Sequence, residues 1–420
     1  MTIAIIIIFI AGYIAIATEH LIKIDKAAAA LISGVLCWSI YIVSSENKDL
    51  VNEQLLHHLG DIASILFFLM GAMMIVELVD RHDGFSIITN RIKTNNTGRL
   101  LVVVSFLTFF LSALLDNLTT TIVMLSLTGK LLNDKNDRWY FAGMVIIAAN
   151  AGGAWSPLGD VTTTMLWIGG QVSATNIMAK LFLPSLICAE IPLLILWFRF
   201  RNKTFDSSYK EEPSDVPQKD KNILFYTGVA CLLFVPAFKT YTHLPPFMGM
   251  MLSLGFLWTV VSLLHINKNQ SYRRQFSAST AIQRIDGASI LFFLGILLSV
   301  SALEAYGILE HAAKFLSTHL HKESYIGVSL GLLSAIIDNV PLVAAAQGMY
   351  SLSTYPTDDF FWELLAYSTG TGGSAIIIGS AAGVAAMGIE KIEFGWYLKK
   401  ISWLALIGFF AGAAIYISFN

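Results

Sequence analysis

The sequence predicts an all-α polytopic membrane protein built as two inverted repeats, each with five spans, one re-entrant hairpin and one broken helix. Three observations predict it. First, 55% of the 420 residues are apolar and only 13% are charged, with a mean hydropathy of +0.65. A soluble domain carries about 25% charged residues and covers its surface with them. Second, the apolar residues gather in blocks long enough for a bilayer, which takes about 20 residues per helix. Third, the chain repeats itself. The formal net charge of −2 offers no basic face to a nucleic acid. Cys37, Cys188 and Cys231 lie in apolar runs and form neither a disulfide framework nor a metal-ligand spacing.

In chain order the apolar blocks cover residues 2–17, 27–43, 62–79, 100–132, 140–168 and 181–198. After a polar stretch they resume at 223–238, 246–264, 288–303, 325–350, 361–388 and 396–417. The first block has no basic leader and no small-residue cleavage site, so it reads as a retained span. The stretch between the two series is charged, holds Pro213 and Pro217 and lacks apolar periodicity. It reads as a linker. The organisation expected is a first repeat at 1–200, a cytoplasmic linker at 201–221 and a second repeat at 222–420.

Asp61 to Leu69 recurs as Asp286 to Leu294 with eight of nine positions identical. Leu111-Ser-Ala-Leu-Leu-Asp-Asn117 recurs as Leu333-Ser-Ala-Ile-Ile-Asp-Asn339, and Gly152, Gly153 and Gly159 recur as Gly372, Gly373 and Gly379. Generic apolar helices would reproduce the leucines, not the Asp-Asn and Gly-Gly pairs.

Blocks 100–132 and 325–350 each carry Asp-Asn at mid-block. A carboxylate in the middle of a straight span is costly. A hairpin instead buries the turn in protein, where non-helical backbone is tolerated. A hairpin adds no crossing, so each half crosses five times and the second is inverted, as in many secondary transporters. Counted on this topology, 22 of the 27 Lys and Arg residues fall on one side. The positive-inside rule makes that side cytoplasmic and puts both termini outside.

The strongest chemical signal is Ser112 to Thr121. Asp116, Asn117, Thr119 and Thr120 are oxygen donors in an apolar run, suited to a hard cation, and an unwound turn frees carbonyls beside them. The alternative is a simple helix cap. The second signal is Asn150-Ala-Gly-Gly-Ala-Trp-Ser-Pro-Leu-Gly-Asp160, followed by Thr162 and Thr163. Its glycines and proline break the span. Asp160 then starts a half-helix, either capping it or binding an ion. The second half keeps Asp338 and Asn339 but has Val340-Pro341 after them, and Ser380 stands where Asp160 does. Ser368 and Ser374, beside Thr369 and Thr371, complete its candidate set. Glu77, Glu190 and Glu304 read as helix-end carboxylates. Six of the nine histidines fall in what reads as outer loops: His57, His58, His243, His311, His319 and His321. No nucleotide-binding loop, nucleophile elbow or zinc signature occurs, so neither an enzyme nor a cofactor is expected.

At Ser112 to Thr120, Asn150 to Asp160 and Ser334 to Asn339 the chain resembles the NhaD-type sodium/proton antiporters of the ion transporter superfamily, over nearly its whole length. The Asp-Asn hairpin pattern alone is shared with arsenite-efflux and P-protein relatives. The stretch from Trp155 through Asp160 to Thr163 is the more specific part. The resemblance implies a scaffold and a transport portion in each repeat, elevator-type motion and a homodimer. It also implies export of sodium or lithium against protons in a bacterial inner membrane, with sodium at Asp116, Asn117, Asn150 and Asp160. Dicarboxylate carriers of the superfamily have Ser-Asn-Thr at the hairpin tips, and Asp-Asn here argues for a cation. The alternative is a sodium-coupled anion or oxyanion transporter. It would need Arg or Lys at mid-membrane, and these motifs contain none. Hairpins opening to opposite sides disfavour a channel.

Overall fold

The computed structural model describes residues 2–89, 94–205, 216–320, 322–336 and 338–419. Arg91, Lys93, His321 and most of the expected linker, including Lys210, lie outside them. Among the described residues the chain is helical, apart from one isolated bridge between Asn96 and Thr204. Among the described residues eight helical stretches are long and apolar enough to cross a membrane.

The first half runs α1 (Thr2–Ala17), α2 (Glu19–Ile22), α3 (Lys26–Ser44), α4 (Lys48–Arg81) and α5 (Ser86–Thr89). Asp25 starts α3 by accepting from Ala27 N, and Asn47 starts α4 by accepting from Leu50 N. That cap explains why α4 begins well before residue 62: its first turns are polar, and apolarity alone did not reveal them. The helices α6 (Thr97–Leu115) and α7 (Asn117–Leu131) break at Asp116. The next pair, α8 (Lys135–Ala154) and α9 (Val161–Ile168), is separated by residues 155–160, and α10 (Ala174–Phe200) closes the half.

The second half follows the same order. It has α11 (Gln218–Thr242), α12 (Pro246–Leu264), the short α13 (Gln270–Gln275) and α14 (Ala278–Ile282), then α15 (Gly287–Ala305). An amphipathic α16 (Ile308–Leu320) comes before α17 (Glu323–Leu333) and α18 (Asn339–Met349), which break before Asp338. Then come α19 (Phe360–Gly372), α20 (Ala381–Glu390), α21 (Phe394–Lys400) and α22 (Ser402–Phe419). His57 and His58 belong to α4, and His311 and His319 to α16, so these four are helical rather than in loops.

The two broken helices form the core. Every residue of α8 from Trp139 onward is buried, as is every residue of α19 from Phe361 onward. In contrast α1, α3, α11 and α12 expose Ile3, Ile7, Val35, Phe234, Leu252 and Phe256. An apolar surface of this kind suits lipid.

Both hairpins are built on the broken helices by the same contacts. Ser112 Oγ donates to Ala149 O, and Ser334 Oγ to Thr369 O. A Cβ on Gly152 would strike the Phe109 backbone, and one on Gly372 the Gly331 backbone.

Two seams join the halves. In the first, α3 packs on α15 with Gly34 and Gly295 facing, so that a Cβ on either would meet the other helix's backbone. Trp38 Nε1 donates to Leu298 O across it at 3.0 Å. In the second, α4 packs on α12 and Gly71 faces the Met250 and Met251 side chains. Beyond its end, His82 and His265 are buried with Nε2 atoms 3.3 Å apart and rings stacked at 5.1 Å. His82 Nδ1 lies 2.6 Å from Leu78 O.

Candidate ion site

Four chain breaks meet in the buried centre. At the first hairpin tip Asp116 adopts φ 87° and ψ 157°. Side chains rarely tolerate that region, and holding one there costs about 1–3 kcal/mol. The tip is fixed by its own carboxylate: Oδ1 accepts from Thr119 N at 2.7 Å and Oδ2 from Thr119 Oγ1 at 2.8 Å. Asp116 therefore does cap α7, and Thr119 is engaged in holding it.

Asp160 precedes α9 but makes no side-chain cap. Its carboxylate, 2% exposed, turns inward. Oδ1 accepts from Asn117 Nδ2 at 3.2 Å, and Oδ2 from Asn339 Nδ2 at 3.2 Å and from Thr162 Oγ1. These donors come from α7, α18 and α9, and all are neutral.

Asn150, fully buried on α8, ties the halves together. Its Oδ1 accepts from Asn117 Nδ2 at 3.1 Å, and its Nδ2 donates to Ser374 Oγ and Ser380 Oγ, each at 2.9 Å. One network thus contains Asn117, Asn150, Asp160, Thr162, Asn339 and Ser374, drawn from both halves, together with Ser380.

The other candidates stand apart from it. Thr163 Oγ1 reaches only Ala154 O, at 3.5 Å. Thr120 and Ser368 are buried with hydroxyls that lack a hydrogen-bond partner among the described residues. Such groups cost about 1–3 kcal/mol each and leave oxygen donors unspent. Asp338 caps α18 through Val340 N and lies 3.9 Å from Lys26 Nζ. Lys26 belongs to no motif and sits 312 positions away in sequence, so no local signal pointed to it. It is a basic residue at a hairpin tip, which the motifs alone lacked, and it faces a carboxylate. A cavity of about 60 Å³ opens beside this pair, lined by Tyr13, Glu19, Lys26, Asp338 and Ser380. Several waters fit in that space.

The arrangement offers buried oxygen donors and carboxylates around one centre, the donor set of a hard, weakly charged cation.

Residues 3–372 match the CitMHS family, described as citrate transporter. Sodium/proton antiporter 1 of Arabidopsis thaliana is 45% identical over 99% of this chain and 72% of its own length. Sodium/proton antiporter 2 of the same plant is 42% identical over 98% of both chains. The Na(+)/H(+) antiporter NhaD of Vibrio cholerae is 28% identical over 99% of this chain and 91% of its own. The crystal structure of the Alcanivorax borkumensis YdaH transporter shares the fold, with a TM-score of 0.55 at 13% identity, covering 94% of this chain and 97% of that one. These relatives are transporters rather than enzymes. The protein belongs to the citrate transporter family, CitMHS, of the ion transporter superfamily, among relatives named sodium/proton antiporters.

Proposed function

We propose that this protein exchanges sodium, or lithium, for protons across a membrane, with Asp160 at the centre of the exchange. The observation that carries this reading is the Asp160 carboxylate, buried and held by Asn117, Asn339 and Thr162, with no basic side chain among the described residues bonded to it. Neutral donors orient a carboxylate and leave its charge available. Either a proton or a sodium ion can then satisfy it, and each excludes the other from the same oxygens. Where such a site crosses the membrane only when loaded, that exclusion lets an inward proton gradient drive sodium out. The names of the relatives support the same reading.

The finer features rest on the sequence. The duplicated segments support two inverted repeats, and the charge bias supports both termini outside. In a bacterial inner membrane this orients sodium export. The hairpin-on-broken-helix construction fits a transport portion that moves against a scaffold, elevator fashion, and the apolar outer faces leave room for a second copy in a homodimer.

A sodium-coupled anion transporter is the second reading, favoured by the family's description. Against it, Lys26 is turned to Asp338, and Asp116, Asp160 and Asp338 would repel a carboxylate substrate. The test is proton movement in everted vesicles, read by fluorescence dequenching with sodium, lithium and potassium, beside uptake of labelled citrate. Sodium- and lithium-dependent dequenching without citrate uptake is expected. Citrate uptake without cation-dependent proton movement would overturn the proposal. Half-saturating sodium should rise as pH falls, because protons compete; an affinity independent of pH would separate the two sites.

A further inference from the structure

The second hairpin tip differs from the first. Asn339 meets Asp160, while the neighbouring Asp338 carboxylate turns to Lys26 at the start of α3. The Lys26 ammonium also lies 4.6 Å from the centroid of the Phe292 ring. Glu19 lines the same cavity, its Oε1 accepting from the Lys26 backbone N at 3.3 Å. Asp338, Glu19 and Lys26 share the cavity of about 60 Å³ with Ser380, and Ser380 is bonded to Asn150. A second space lined by carboxylates therefore adjoins the central network, with a tethered cation in it. At 3.9 Å the pair is beyond hydrogen-bond length, and its side chains are 26% and 20% exposed. A partly exposed pair at that separation is weak. An ammonium held so loosely can be replaced by a free cation.

We infer that Asp338 and Glu19 form a second cation subsite, and that Lys26 is its resident counter-ion, displaced when sodium enters. The inference rests on the exchange reading above and goes beyond it. It assigns Asp338 to admitting the ion rather than to the central cluster, and it makes Lys26 a determinant of the sodium concentration at which the site loads.

The experiment titrates sodium chloride against proton movement in everted vesicles, which present the side on which Lys26 is counted. It compares the wild type with Lys26→Met, Lys26→Arg, Asp338→Asn and the double variant Lys26→Met/Asp338→Asn. Lys26→Met removes the competitor and should lower half-saturating sodium about two- to fivefold. Asp338→Asn should raise it, and Lys26→Arg should behave as wild type. In the Asp338→Asn background Lys26→Met should add nothing, since both act through one contact. If Lys26→Met fails to reach the membrane, Lys26→Gln replaces it. Loss of maximal rate with unchanged half-saturation in the single variants would mean a structural tie and overturn the subsite. A Lys26→Met effect that persists without Asp338 would overturn it as well. A wild type lacking sodium-dependent proton movement would overturn the exchange reading and this inference with it. An active wild type with an unaltered Lys26→Met overturns the subsite alone.

Discussion

Asn117 and Asn339 stand at the same place in two nearly identical hairpin sequences, and their amides donate to opposite oxygens of one carboxylate. Asn117 reaches Oδ1 of Asp160 and Asn339 reaches Oδ2, each at 3.2 Å. The two halves thus converge on a single charged group that only the first half possesses. Hydrogen bonds to a charged group are worth about 1.5–3 kcal/mol. Asn117→Ala and Asn339→Ala should therefore each weaken apparent sodium affinity at least about tenfold. Sodium titrations of proton movement check this, and an unaltered Asn339→Ala would remove the second hairpin from the site. Asp160→Asn should abolish exchange altogether.

Asp116→Asn separates charge from shape at the first tip. Asparagine is as good an N-cap as aspartate, so α7 and the protein's yield and monodispersity in detergent should persist. Exchange should be lost. Near-normal exchange would reduce Asp116 to its capping contact with Thr119.

The topology has a direct test at the start of α11. Lys219→Cys should react with an impermeant maleimide in inside-out vesicles and not in intact cells. Labelling of intact cells would refute the inverted-repeat arrangement.

The buried histidine pair predicts an acid-sensitive junction. Burial lowers His82 from 6.5 to about 4; His265 and Arg81 push in the same direction, while the Leu78 carbonyl and Asp220 oppose. Burial lowers His265 too, helped by Lys268 and Arg273 and opposed by Asp220. A folded-state value below the unfolded one means that the unfolded chain binds more protons between them. The stabilisation is complete above pH 6.5 and is lost as pH falls toward 4. The melting temperature should drop between pH 7 and 4.5, and drop less in His82→Gln. An identical pH profile in the variant would exclude the pair as the cause.

Close packing of the hairpins predicts a matched pair of losses. Gly152→Ala and Gly372→Ala each force a methyl group into the backbone of the adjoining hairpin arm. Each should destabilise by about 1–3 kcal/mol or more, read as a lower melting temperature. Gly60→Ala, with open space around it in α4, is the control. It should be neutral or stabilising by up to about 1 kcal/mol, from helix propensity alone.

Much of this was legible in the sequence because it is local. Asp116 at the hairpin turn, the glycines and proline between Asn150 and Asp160, and the repeated Leu-Ser-Ala pattern all mark chain breaks within a few residues. The cross-chain part was not legible. Asn150 bonds Ser374 and Ser380 more than 220 positions away, and Lys26 meets Asp338 across the whole molecule. Nothing in either neighbourhood reports the other. The polar start of α4 and the whole of α16 were missed for a different reason. Hydropathy blocks register continuous apolar runs, and neither the polar first turns of α4 nor the two-faced α16 forms such a run.

The two seams between the halves are made of different materials. Where α3 meets α15, Gly34 and Gly295 bring one backbone against the other, a contact with no side chain to yield. Where α4 meets α12, Gly71 rests on Met250 and Met251, whose unbranched thioether chains re-pack readily. One joint is stiff and the other compliant, although each pairs a helix of the first half with one of the second. Strain transmitted through the protein will therefore be taken up on the methionine side, and the glycine joint will act as the fixed pivot against which the rest is measured.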